Sequence, residues 1–413
     1  MLSRFLSRPA GLHGSIPTFD LPPSFTVKLD FSLIDSDDAL RTPAIRQSWT
    51  QQTEASTDLN ALYASPEWCE SKFGKDASRR SCVAILTDPS ERIVGLAPVE
   101  VGPYALPFSL LDRLLWRIRL RAAKVLGSLP MLPDDPGAYD CFLRGLFREM
   151  GDIDCVYMDC VAVDSFASRI LQEGGRPDGE FAVYSPSGKR RWHWITLAGS
   201  FDQYLKGMSS KSRKNLRRIA EGLGSDSAEN PRIRRIDTET QVDEFLDRAL
   251  IVSRNSWQHR ILGPRIRKDP EEVHRMRHLA RLGILRSYLL ESGDQPCAFI
   301  VGYQFRGIFH YAEIGFDQAF ARLSPGSILL YQAIKDLHDV NPPKIVNFGM
   351  GDATYKSRFG NTSCEDATML VLRRTPRLRL AIAAHAGFRS AVGLGKKWTS
   401  RIFPGYPARS RRT

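Results

Sequence analysis

The order of patterns after residue 285 limits the fold most. Three apolar, β-rich runs, 285–291, 296–303 and 307–315, follow one another across short polar breaks. That spacing predicts an antiparallel meander. Pro325-Gly326 then opens a helical pattern to residue 339, and strands 344–348 and 367–373 close the unit. Upstream lie helical patterns at 201–223, 240–257 and 270–282, with a short strand at 232–236. Helices leading into a meander, then one helix returning to a further strand, predict an α+β architecture.

The first half carries a similar coarse plan. Ser65-Pro66-Glu67-Trp68 is a helix start, with Ser as N-cap and Pro at the first helical position. Strands are predicted at 81–86, 93–99, 154–159 and 192–197, and a helix at 141–150. Residues 110–125 mix apolar and Arg residues at a spacing that predicts another helix. A chain of 413 residues suits two domains. The expected division is an extended lead-in (1–25), a first lobe (26–197), a second, catalytic lobe (198–372) and a basic extension (373–413).

The net charge of +12 first suggests nucleic acid or an anionic membrane. Its distribution argues otherwise. Residues 373–413 hold eleven Lys and Arg and no acid, which leaves +1 for residues 1–372. Nucleic acid is therefore disfavoured. Two uses of the charge stay open: peripheral contact of 373–413 with anionic lipid, with 378–394 as a weakly amphipathic helix, and a disordered solubilising tail. Seven cysteines without a CxxC spacing fit reduced thiols and a cytoplasmic protein. No metal is expected. His274 and His278 stand one helical turn apart, but the Glu of an HExxH site is missing and arginines flank them.

Chemistry concentrates between Gly307 and Gly360. The strand 307–315 carries His310 and Glu313. The turn at Pro325-Gly326 starts a helix whose first N–H groups lack internal partners and favour an anion. A buried strand then runs into Asn347-Phe348-Gly349-Met350-Gly351-Asp352-Ala353-Thr354-Tyr355-Lys356, a loop at a strand end of the kind that collects functional groups.

Arg322-Leu323-Ser324-Pro325-Gly326 before a helix, followed by Gly-x-Gly-Asp-x-x-Tyr-Lys-x-x-Phe-Gly, resembles the GNAT-type acetyltransferase family of the CelD (cellulose-biosynthesis) kind, relatives of the FemAB-type transferases. Ser65–Trp68, residues 93–99 and the basic stretch 201–218 agree with it. The resemblance implies two tandem GNAT-like lobes, with acetyl-CoA as co-substrate at the turn of the second lobe. Gly326, Ser327 and Ile328 would offer N–H groups to the pyrophosphate, and Arg322 would sit beside it. The sequence departs from the family loop where Pro325 and Ser327 replace glycines, and Asn347 replaces the usual Asp.

Direct transfer needs a base and a stabilised oxyanion. Glu313 and His310 are the candidate bases; burial among apolar neighbours would raise the Glu313 pKa. A spacing of three puts the two on opposite faces of a regular strand, so only a bulge would aim both at one cleft. Lys356 and Tyr355 are candidates for the acceptor side or the oxyanion, and Asp352 for a second base or an acceptor ligand. The implied activity is N- or O-acetylation of a sugar- or polysaccharide-related acceptor. The alternatives are a FemAB-like aminoacyl-tRNA-dependent transferase and a non-catalytic adaptor on a degenerate core.

Overall fold

The computed structural model describes residues 28–72, 79–110, 113–174, 180–221, 231–256, 259, 263–351 and 353–402. The expected lead-in lies outside them. The first half contributes β1 (Asp30–Asp35), β2 (Arg80–Thr87), β3 (Ile93–Leu110), β4 (Arg113–Val125), β5 (Cys155–Ala162), β6 (Phe181–Tyr184) and β7 (Lys189–Thr196). The second contributes β8 (Arg232–Ile236), β9 (Ser287–Ser292), β10 (Gln295–Phe305), β11 (Ile308–Phe316), β12 (Ile345–Asn347) and β13 (Thr362–Arg373).

All thirteen form one sheet in the order β1-β2-β3-β4-β5-β13-β7-β12-β11-β10-β9-β8, with β6 paired to β13. The architecture is α+β, and the two halves repeat one plan. β1 to β4 and β8 to β11 are antiparallel, and each run ends in a parallel step, β4 to β5 and β11 to β12. A parallel step needs a crossover, supplied by the helices Pro136–Glu149 and Pro325–Asp339. The halves then exchange their last strands. β7 pairs with β12, β13 pairs with β5, and β13 and β7 meet in the middle. Arg190 of β7 clasps this junction, donating to Asp366 of β13 (3.0 Å) and to Asp159 of β5 (2.7 Å). Thr368 closes it by donating to Asp159 at 2.6 Å.

Both faces of the second half are covered. Leu329 and Ile334 of the crossover helix pack with Tyr288, Leu290 and Ile300. Phe245 and Leu279, from helices Val242–Arg254 and Pro270–Arg281, pack with Leu289 and Phe299. The alternation of Tyr288, Leu289 and Leu290 between the two layers is the period of a strand buried on both sides.

Three sequence expectations change. The helix expected over 110–125 is strand: Leu110 ends β3 and 113–125 form β4, where Arg117-Ile118-Arg119-Leu120-Arg121 alternates with period two and its apolar members face a helix. The helix expected over 201–223 is two, Phe201–Gly207 and Ser210–Glu221, because Met208 is extended. The described part of the basic extension, 373–402, is docked: β13 takes Arg373, and a helix, Pro376–Ile402, lies on β3 and β4. Its His385 bonds the Tyr184 hydroxyl (2.6 Å) and the Pro107 carbonyl (3.0 Å). The seven cysteines are free thiols. Among the described residues no helix is long and apolar enough to cross a membrane.

Candidate active site

β11 and β12 pair only as far as His310 and Asn347. Beyond that point β11 runs on to Phe316 while the other chain turns away at Phe348. The strands splay, and the start of helix Pro325–Asp339 faces the gap. A cavity of about 1320 Å³ opens here, lined from both halves. The first half supplies Tyr63 and Trp68, in ring contact at 4.8 Å. They flank the Ser65 cap expected from sequence, whose side chain accepts from Trp68 N–H at 3.1 Å. Trp68 packs on Tyr303 of β10 (5.5 Å), and the Arg275 guanidinium stands 5.5 Å from its ring.

β11 carries a bulge. Val301 of β10 lies opposite Glu313, but the next residue, Gly302, lies opposite Tyr311, so Ala312 is extra. The added residue cancels the odd spacing, and His310 and Glu313 both line the cavity. His310 is 2% exposed, sits edge-on to Tyr63 at 5.5 Å, and has no hydrogen-bond partner on either ring nitrogen among the described residues. Burial lowers its pKa to about 3, so the ring is neutral at physiological pH. Glu313 is not the carboxyl among apolar neighbours that the sequence suggested. Arg265 holds it from two sides, Nε to Oε1 at 3.1 Å and Nη2 to Oε2 at 2.6 Å.

At the helix start, Ser324 is left-handed (φ 56°) and its side chain caps nothing. Of the three amides expected to face an anion, two are engaged: Ser327 and Ile328 N–H both donate to the Ser324 carbonyl (2.9 and 3.1 Å). Gly326 N–H is the remaining donor, since Pro325 has none. Ile328 is buried in the core, and Arg322 is exposed outside the cavity lining. The matching helix of the first half also begins Pro136-Gly137, but Asp135 caps it, accepting from Ala138 N–H at 2.8 Å. That carboxylate occupies the place an anion would take. The second helix has no such plug.

The glycine loop is pinned from below. Asn347 Oδ1 accepts from Trp192 Nε1 (2.7 Å) and Gly349 N–H (2.9 Å). Its Nδ2 donates to the Leu59 carbonyl (3.0 Å) and Asn60 Oδ1 (3.2 Å), joining the two halves. A carboxylate here would have no protons to donate, which accounts for Asn in place of Asp. Gly349 and Gly351 have φ of 66° and 97°, conformations that favour glycine. Lys356 is buried, and its Nζ donates to the carbonyls of Gly349 (3.2 Å) and Met350 (2.5 Å). These bonds shape the glycine loop. Tyr355 meets Tyr311 at 6.1 Å and Phe348 at 6.3 Å within the splay. Burial raises the Tyr355 hydroxyl to about 12. Burial and the Tyr355 hydroxyl push Tyr311 far above the usual phenol range. Asp352 lies outside the described residues. His274 and His278 stack at 6.3 Å, and no group of three metal-ligating side chains occurs among the described residues.

Residues 210–357 match the sequence profile of the Acetyltransferase (GNAT) domain. No curated protein matches the sequence. Among solved structures the fold is similar to that of FemX, at 10% identity and a TM-score of 0.57, over 82% of this chain and 98% of that one. Looser likenesses include a tandem GNAT protein from the clavulanic acid biosynthesis pathway (11% identity, TM-score 0.47, 84% and 99% covered). L-PGS from Bacillus licheniformis is another (12%, TM-score 0.44, 76% and 90%). The GNAT domain makes the chain an enzyme of the acyltransferase class. Its GNAT region spans helix Ser210–Glu221 to Tyr355 and Lys356, and so contains the bulge, the open helix start and the glycine loop.

Proposed function

We propose that the cavity performs direct acyl transfer from acetyl-CoA to an amine or hydroxyl of a sugar- or polysaccharide-related acceptor, the reading implied by the likeness to CelD-type enzymes. The observation that carries it is the helix start at Ser324–Gly326, uncapped and facing the splayed strands, while its first-half counterpart is plugged by Asp135. Gly326 N–H and the helix dipole favour the donor's phosphate charge. The acceptor nucleophile attacks the thioester carbonyl. The new C–N or C–O bond forms as the C–S bond breaks. Glu313 takes the acceptor's proton, and the Tyr355 hydroxyl, protonated at neutral pH, supplies one to the leaving thiolate. His310, neutral and unpartnered, is a hydrogen-bonding group for the acceptor. The Tyr63 and Trp68 rings suit the apolar face of a sugar.

Calorimetry with acetyl-CoA tests the reading. Gly326 is not in the left-handed region, and a Cβ there meets only ordinary contacts, Phe316 at 3.5 Å being nearest. Gly326→Trp therefore fills the cavity mouth without straining the backbone. The wild type is expected to bind and the variant not to. Equal binding by both removes the turn from the donor site. Binding by neither favours a FemAB-like transferase using aminoacyl-tRNA, the reading that the FemX-like fold keeps in view.

A further inference from the structure

β3 parts from β2 after Val101, and β4 meets β5 only over residues 122–124. Beyond those points β3 and β4 pair only with each other among the described residues. Nine residues of β3, 102–110, extend past the sheet, which at ~3.4 Å each carries the tip roughly 30 Å outward. A bare two-stranded ribbon is marginal in water. Here the helix Pro376–Ile402 braces one face, with Leu378 packed on Leu106 and Leu120 and Phe388 against Phe108.

The described residues at the tip are largely apolar and exposed, with the Trp116 ring resting on Phe108 at 5.3 Å. Of the ten large apolar side chains exposed among the described residues, four lie within 110–116, where Leu115 is 58% and Trp116 61% exposed. Exposure concentrated in this way marks an interaction site. Behind it the charge has one sign. Residues 102–124 contain five basic residues and a single acid, Asp112. Arg113, Arg117 and Arg119 have no acidic partner among the described residues, while Arg121 pairs with Asp152 (2.7 Å) at the root. The bracing helix is basic and has no acid.

We propose that this hairpin tip docks on an anionic phospholipid bilayer, with Leu114, Leu115 and Trp116 entering the interface and Arg113, Arg117 and Arg119 on the lipid phosphates. A narrow, convex, apolar end with cations set behind it matches a surface whose apolar layer lies beneath an anionic one. The basic extension acts here as the brace of the arm rather than as the contact itself.

The test is co-sedimentation of the full chain with vesicles of phosphatidylcholine, alone or with about one-third phosphatidylglycerol. The wild type is expected to pellet with the anionic vesicles only, and less as salt rises. Leu115→Ser with Trp116→Ser, and separately Arg117→Glu with Arg119→Glu, are each expected to lower vesicle affinity about tenfold or more. Both pairs are expected to shift the melting temperature by no more than about 3 °C, because the side chains are largely exposed. Brominated acyl chains are expected to quench Trp116 fluorescence, seen as quenching absent from the Trp116→Ser variant. A wild type that stays in solution with anionic vesicles at low salt overturns the proposal, as do variants that bind like wild type. A lipid-free dimer that Leu115→Ser with Trp116→Ser dissolves also overturns it, since the tip would then cover a second copy.

Discussion

Three side chains around the β11 bulge sit in three electrostatic settings, and those settings divide the work. His310 is stripped of water and neutral. Glu313 is oriented by Arg265. Tyr355 keeps its proton at any physiological pH. Tyr355→Phe is accordingly expected to lower kcat about a hundredfold while the KM for the acyl donor stays within about twofold. Steady-state assay of thiol release reads both, and an unchanged kcat removes Tyr355 as proton donor. The chemistry-bearing residues of β11 and the glycine loop were legible in sequence because strand ends and glycine-punctuated loops announce themselves locally. Their common orientation was not. Parity along a regular strand separates His310 from Glu313, and only the pairing of β10 with β11 reveals the extra residue. Tyr63 and Arg265 had no local signal, and Trp68 was legible only as part of a helix start, since long-range packing brings all three to the cavity.

The helix Pro325–Asp339 owes its aim to its far end. Arg286, 6% exposed, donates to the carbonyls of Asp336 (3.0 Å), Val340 (2.7 Å) and Asn341 (3.0 Å), and to the Asp336 carboxylate (2.8 Å). A cation on the last turn satisfies orphan carbonyls and the dipole together. Burial alone would raise the Asp336 pKa, but hydrogen bonds from Arg286 and Tyr288 hold it below the usual carboxylate range. Its stabilising part is thus present at neutral pH and is lost as pH falls through the lowered value. Arg286→Met is expected to destabilise by about 3 kcal/mol, because the carbonyls of Asp336, Val340 and Asn341 lose their charged donor and the Asp336 carboxylate keeps only Arg235 and Tyr288. Denaturant titrations at several pH values check this: the gap from wild type should narrow below about pH 4. Pro-Gly and helical periodicity made this helix readable. β4 was misread because its Leu-Leu-Trp run at 114–116 blurs the strict alternation that follows.

At the scale of the molecule, the exchange of β7 and β13 makes two repeats into one sheet. Sequence shows the repeat as a shared plan but not the exchange, because a strand's partner is a non-local choice that its own pattern does not encode. Separate polypeptides 1–199 and 200–413 are expected each to lack a cooperative melting transition. Mixed and refolded, they should co-purify and melt as one. A cooperative transition in 1–199 alone would show that β13 is dispensable to the first half.

The exchange also has a consequence in time. Synthesis runs from the N-terminus, and β5 is complete at residue 162 while β13 begins at residue 362. At ~5–20 residues per second, the edge of β5 stands open on the ribosome for on the order of ten to forty seconds. An open strand edge is a template for the wrong neighbour. The nascent first half must therefore be shielded or held loose until its last strand arrives, and its yield in a cell depends on how well that interval is guarded.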